Sequence, residues 1–105
     1  MGIEMTDELD GGDILAQEEI SLEGKIEDIL KRITRVGSRL TKIIISGNII
    51  RRKQNENEST FYNRRKDQDN EITIQEILNK DSQYLYNKIR MLGDPYPFAY
   101  IKTAD

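Results

Sequence analysis

The sequence contains no cysteine, no histidine and no tryptophan, and only two prolines among its 105 residues. Without cysteine the chain can form no disulfide, no thiolate nucleophile and no cysteine-ligated zinc site. Without histidine it lacks the commonest general base near neutral pH and the commonest metal ligand. Any catalysis must therefore use carboxylates, lysine, tyrosine, backbone groups or residues on another polypeptide.

Long apolar runs and a strong net charge are also lacking. The isoleucine run Ile43–Ile45 is broken by Ser46 and Gly47, and every apolar run is well short of the roughly 20 residues that a membrane-spanning helix needs. The net charge of −3 and the pI of about 5.1 provide no basic field for nucleic acid. These features indicate one small polar domain, and we expect it to be cytoplasmic and to have no membrane partner.

Hydrophobic periodicity predicts one long helix in the first half of the chain. From Ile26 to Ile45 the apolar residues recur at steps of three and four, which is typical of an amphipathic helix with its apolar stripe in the core. Ser21 is the predicted cap and Gly47 the predicted stop. Gly37 lies inside this helix, where glycine costs about 1 kcal/mol relative to alanine, so we infer close backbone packing there.

Shorter elements are predicted on both sides of this helix. Before the helix, two strands at 2–5 and 14–21 are predicted around an acidic loop at 6–13. After it, the predicted elements are a polar linker at 51–70 with a short strand at 60–63, a helical turn at 74–78, a helix at 81–92 and a strand at 98–102. The helix at 81–92 is expected to bury Leu85, Ile89 and Leu92. Gly11 and Gly12 are interpreted as positions whose backbone angles are closed to other residues.

Three blocks of sequence share their order and residues with one known family. The first, Asp7 to Gln17, is similar to the pattern D-E-x-x-D-x-G-D-I-L-x-Q, and the second is the predicted helix with its glycine. The third, Arg90 to Ala99, is similar to R-A-L-x-x-P-Y-P-G-A. In this order the blocks resemble the folate-dependent formyltransferases, which include methionyl-tRNA, glycinamide-ribonucleotide and sugar-nucleotide enzymes. The resemblance covers almost the whole chain.

The resemblance implies an α/β fold. Residues 1–50 would be the C-terminal part of a Rossmann-like formyltransferase catalytic domain, comprising its last strands and a helix. Residues 51–105 would be a linker and a helix that lead into the start of a C-terminal domain. Because the earlier strands of the sheet would lie outside this piece, we expect the long helix to lack part of its packing surface and the isolated chain to be only marginally stable.

The resemblance also implies a reaction, the transfer of a formyl group from N10-formyltetrahydrofolate to an amine. Asp10 matches the catalytic carboxylate of the family, which works with an asparagine and a histidine upstream. The folate pocket would be lined by Met5, Asp7, Glu8, Leu9, Gly11 and Gly12. No metal is implied. Since the Asn-x-His segment is not present in this sequence, we expect the chain alone to be inactive.

The partners follow from the same resemblance. The third block favours the sugar-nucleotide branch, and hence a small-molecule amine, over tRNA, because the tRNA branch more often has tryptophan before the second proline. Gln54 and the basic residues 64–66 fall where the linker of the family has such residues, and neighbouring acidic residues favour a solvated linker over a phosphate contact. An alternative of another class stays open, namely a small non-catalytic protein whose helix binds a partner and whose acidic loop is incidental. The oligomeric state is not indicated.

Overall fold

The computed structural model describes residues 1–104, which form two compact units. Unit 1 contains residues 1–21 and 31–62, and unit 2 contains residues 22–30 and the chain from residue 63 onwards. These units are defined by compactness, whereas the predicted boundary after residue 50 concerns domains of a longer protein and stays a prediction. Within the described residues, no helix has both the length and the apolar character needed to cross a membrane.

Unit 1 is built on a small antiparallel sheet. Strand β1 (Gly2–Ile3) pairs with strand β2 (Ile14–Ala16). On its other side β2 forms a bridge in which the backbones of Ile14 and Arg52 exchange hydrogen bonds of 2.7 and 3.0 Å. The two predicted strands around the acidic loop are therefore confirmed in place. Each is shorter than predicted, since a strand extends only as far as it finds a partner backbone.

The long helix α1 spans Ile26–Ser46 and agrees with the prediction to within one residue at its end. The predicted cap is wrong, because Ser21 lies too far upstream. Instead, the carboxylate of Asp28 accepts a hydrogen bond of 3.1 Å from the backbone nitrogen of Lys25. At the other end Gly47 has a φ of 81°, the left-handed conformation that glycine commonly provides after a helix.

The apolar face of α1 is only partly covered. Ile29 is buried in unit 2 and Leu40 in unit 1, whereas Ile33 and Ile43 are 47% and 44% exposed. The partial coverage agrees with the expectation that this helix lacks part of its packing surface, whereas the expectation that the whole apolar stripe is core is wrong. Periodicity identifies the face that can be buried, but burial also requires an element that packs against that face.

Gly37 lies in a stretch of α1 with open space around it, since a Cβ atom there would meet nothing within 4 Å. The inferred close packing at this position is therefore wrong. We expect Gly37→Ala to raise the free energy of unfolding by about 1 kcal/mol, because alanine loses less backbone entropy in a helix than glycine does. Urea denaturation followed by far-ultraviolet circular dichroism measures this effect, and an unchanged or lower midpoint would contradict it.

Unit 2 contains two short α-helices, α2 (Ile74–Asn79) and α3 (Ser82–Arg90). The hydroxyl of Thr73 caps α2, and the carboxylate of Asp81 caps α3 by accepting a hydrogen bond of 2.8 Å from a backbone nitrogen of the first turn. The predicted starting point of α3 is thus confirmed. The helix ends earlier than predicted, and Ile89, which was expected to be buried, is 53% exposed.

The predictions of two strands in the second half of the chain are wrong. Residues 60–63 have no regular structure, and Phe61 and Tyr62 are 96% and 91% exposed. The strand predicted at 98–102 is reduced to a single parallel bridge between Glu71 and Tyr100. An extended segment becomes a strand only when another backbone supplies its hydrogen bonds, and these segments find little or none within the described residues.

Two polar anchors stabilise unit 2, and sequence reasoning missed both. Asn70 is 5% exposed, and its side chain donates to the Pro97 carbonyl at 3.1 Å and accepts from Arg65 at 2.9 Å. The ammonium of Lys88 donates to the Glu76 carboxylate at 2.9 Å, and these side chains are 12% and 21% exposed. Buried polar groups are stabilising only when they are paired in this way.

Candidate functional site

The acidic loop between β1 and β2 presents its side chains to solvent. Residues 5–11 are exposed, whereas Gly12 is buried. At the base of the loop the backbone nitrogen of Glu4 donates to the carbonyl of Asp13 at 3.0 Å. Because this hydrogen bond joins its two ends, the loop is a closed turn with a defined base.

Asp10 has a left-handed backbone conformation, with a φ of 56°. Most non-glycine residues avoid this region, and aspartate and asparagine tolerate it best. The interpretation of Gly11 and Gly12 as positions of unusual backbone angle is therefore wrong. Among the described residues, the glycines with positive φ are Gly24 and Gly47, both outside the loop.

Gly12 is required by close packing instead. A Cβ atom built there would lie 1.8 Å from the carbonyl oxygen of Glu4 and 2.7 Å from its carbonyl carbon. At Gly11, in contrast, the nearest atoms belong to the flexible side chain of Glu8, at 2.8 Å. The base of the loop therefore has no room for a side chain at position 12, whereas its exposed tip does at position 11.

Gln54 connects the linker to the acidic loop. Its side-chain nitrogen Nε2 donates to the carbonyl oxygens of Asp10 and Gly12, at 2.7 Å in both cases. The sequence analysis noted this residue only as a match to the linker of the family. These contacts join residues 44 and 42 positions apart, so no local pattern could have indicated them.

Two of the three basic residues at 51–53, at the beginning of the predicted linker, contact other residues of unit 1. Arg51 forms an ion pair with Glu4, and the guanidinium of Arg52 donates to the side-chain oxygen of Gln17. Both contacts lie near the strands that flank the acidic loop. They direct positive charge towards unit 1 itself and away from a phosphate ligand, and the assignment of this segment as a linker stays a prediction.

Apart from Gly12, which is buried, the predicted site residues lie on an exposed surface. The side chains of Met5 and Leu9 are 96% and 90% exposed. A groove of about 620 Å³ in unit 1 has a different lining, which consists of residues 14–19, Ile50 and Arg52. Within residues 1–104, no group of three or more acidic side chains is arranged to hold a metal ion. The assignment of Asp10 and of the folate-lining residues stays a prediction.

The chemical group that this surface offers is the carboxylate of Asp10, on a backbone of defined conformation. An ionised carboxylate accepts hydrogen bonds, so the Asp10 side chain can order a water molecule or stabilise a neighbouring cation. General acid–base catalysis near neutral pH usually adds an imidazole to such a carboxylate, and the sequence has no histidine.

Methionyl-tRNA formyltransferase sequences align with nearly the whole chain. The enzyme of Bacillus thuringiensis (strain Al Hakam) is 33% identical over an alignment of 107 residues, which covers 95% of this chain and 32% of the relative. The enzyme of Bacillus cereus (strain B4264) gives the same identity and coverage. This chain thus spans about a third of the length of these curated relatives. No family model matches it.

A solved structure matches as well, that of methionyl-tRNA formyltransferase from Clostridium thermocellum. It matches 97% of this chain with a TM-score of 0.81 and 30% sequence identity, and the match covers 44% of the solved chain. This likeness confirms the predicted fold class, a partial α/β formyltransferase domain with the helices that follow it. Sequence and structure therefore agree that the chain belongs to the formyltransferase family, and it spans only part of the length of the members compared with it.

Proposed function

We propose that these residues are part of a cytoplasmic enzyme that transfers a formyl group from N10-formyltetrahydrofolate to methionyl-tRNA. The similarity that extends over 95% of the chain to relatives named methionyl-tRNA formyltransferase carries this proposal. It also favours an enzyme over the small non-catalytic protein considered from sequence. The preference for a sugar-nucleotide acceptor gains no support, since each relative named above is a methionyl-tRNA enzyme. Methionyl-tRNA therefore replaces it as the proposed acceptor.

The exposed acidic loop suits the formyl donor chemically. Folates contain a flat heterocycle with N–H donors, and the carboxylates of Asp7 and Glu8 can accept hydrogen bonds from such groups. The exposed side chains of Met5 and Leu9 offer an apolar surface to the ring. Gly12 is buried and its carbonyl already accepts from Gln54, so we propose that it shapes the loop.

Formyl transfer requires a group that receives or relays the proton of the attacking amine. We propose Asp10 as the carboxylate that does this, through an ordered water or by stabilising a neighbouring imidazolium. The asparagine and histidine that the resemblance implies would come from outside these residues. We therefore expect the 105-residue chain alone not to catalyse transfer.

A chimeric enzyme tests the proposal. Residues 1–105 replace the matching segment of the Clostridium thermocellum enzyme, and formylation of methionyl-tRNA is measured with N10-formyltetrahydrofolate. We expect kcat/KM to exceed that of the same enzyme with the segment deleted by more than about 10³-fold, because the acidic loop restores both folate contacts and proton transfer. A chimera that folds but stays at the level of the deletion would contradict the proposal.

A further inference from the structure

We propose that Gln54 is a positioning residue, which sets the backbone of the Asp10–Gly12 turn and thereby the direction of the Asp10 carboxylate. The inference rests on the proposed function, because that function gives the carboxylate its role. The observation behind the inference is that Nε2 of Gln54 donates to the carbonyl oxygens of both Asp10 and Gly12, at 2.7 Å in each case.

Glutamine is chemically matched to this position. Its side-chain nitrogen has two N–H groups, so both carbonyls can be satisfied at once. Gly12 is buried, and a carbonyl in such a place needs a hydrogen-bond partner to avoid a loss of free energy. Glutamate has nearly the same shape, but its carboxylate has no N–H to donate and would face two carbonyl oxygens.

The segment that contains Gln54 is itself fixed to unit 1. Arg52 exchanges backbone hydrogen bonds of 2.7 and 3.0 Å with Ile14, at the end of the acidic loop. Arg51 forms an ion pair with Glu4, at the beginning of the loop. Gln54 therefore extends from a segment that is bonded to both ends of the loop, and its side chain is half-buried.

The tip of the loop has two further hydrogen bonds, both to the Glu8 carbonyl, from the Thr6 hydroxyl at 3.1 Å and from the Gly11 N–H at 3.4 Å, and neither contacts the Asp10 or Gly12 carbonyl. Its residues 5–11 are exposed, and the left-handed conformation of Asp10 persists only where surrounding contacts favour it. Without the two hydrogen bonds from Gln54, the peptide between Asp10 and Gly11 is held by the longer hydrogen bond of 3.4 Å from the Gly11 N–H to the Glu8 carbonyl, and it can rotate more easily. The carboxylate would then sample several directions, and the preorganisation that catalysis needs would be lost.

Nuclear magnetic resonance of the full 105-residue chain tests the inference. In Gln54→Glu we expect the HN–Hα coupling constant and the carbon chemical shifts of Asp10 to lose the values typical of the left-handed conformation. We also expect the amide hydrogens of Gly11 and Gly12 to exchange with solvent about tenfold faster. Gln54→Leu, which adds no charge, is expected to give the same change. The matched control is Gln68→Glu, the same substitution at an exposed glutamine in unit 2, and it should leave the loop signals unchanged.

The other outcomes are equally decisive. A left-handed Asp10 with unchanged exchange in both Gln54 variants would overturn the inference. Loss of native signals throughout unit 1 in both variants would also overturn it, because Gln54 would then be a general structural residue. The signals depend on no formyl transfer, so the failure of Gln54 as a positioning residue is distinguishable from a failure of the proposed function, which the chimera measures.

Discussion

Replacing Asp10 by asparagine in the chimeric formyltransferase is expected to lower kcat by about 10²- to 10⁴-fold, with a smaller change in KM. Asparagine has almost the same size as aspartate and also tolerates the left-handed conformation, so the loop backbone with its φ of 56° is retained. Only the charge of the side chain is removed. Alanine would be a poorer choice, because it would perturb the backbone and the charge together. Steady-state kinetics with both substrates measure kcat and KM separately.

Asp67→Asn is the matched control for this prediction. Asp67 is an exposed carboxylate in a short 3₁₀ helix of unit 2, and its substitution makes the same change of net charge outside the acidic loop. We expect its kcat to stay within about twofold of the parent, since surface substitutions usually have small effects. If Asp10→Asn remained within about threefold of the parent, Asp10 would have no catalytic role. Equal losses in both variants would indicate a general effect of net charge.

The parts of the fold that local sequence determines were predicted well. Helix α1 was predicted over 26–45 and spans Ile26–Ser46, because its periodicity and its glycine stop are local signals. Helix α3 begins where Asp81 caps it, again a signal within a few residues. The cap of α1 was missed, since Asp28 lies inside the first turn and bonds back to Lys25.

The parts that depend on distant contacts could not be predicted in the same way. Ile33 and Ile43 belong to the apolar stripe, but their exposure depends on which elements pack against α1. Residues 60–63 have a composition suited to a strand and find no partner backbone among residues 1–104. The side chains of Asn70 and Lys88 also bind partners that are distant in sequence, at separations of 27 and 12 residues, so only the folded chain reveals these pairs.

The acidic loop has some features that the sequence predicted and others that only the folded chain shows. The family pattern located the loop and the carboxylate at Asp10, which lies in an exposed, closed turn. The pattern did not indicate the physical reason for its glycine pair. Unusual backbone angles were expected at the glycines, whereas the positive φ belongs to Asp10 and the close contact belongs to Gly12. A motif records which residues are needed, and the geometry supplies the reason.

That geometry predicts that alanine lowers the stability of unit 1 much more at Gly12 than at the adjacent Gly11. Gly12→Ala is expected to lower the free energy of unfolding of unit 1 by about 3 kcal/mol, since overpacking that forces the backbone to shift is costly. The new methyl group would lie 1.8 Å from the Glu4 carbonyl oxygen, and the loop base must open to admit it. A urea titration that follows the amide signals of unit 1 measures the loss.

Gly11→Ala adds the same methyl group one residue earlier and serves as the control. Its nearest neighbours are atoms of the Glu8 side chain, which can rotate into solvent, and Gly11 has no positive φ to forbid a Cβ atom. We expect its stability to stay within about 0.5 kcal/mol of the original chain. If the two variants lost equal stability, the close approach of Gly12 to Glu4 would not be the reason for the glycine. A loss confined to Gly12→Ala would identify the base of the loop, rather than its tip, as the part that tolerates no side chain.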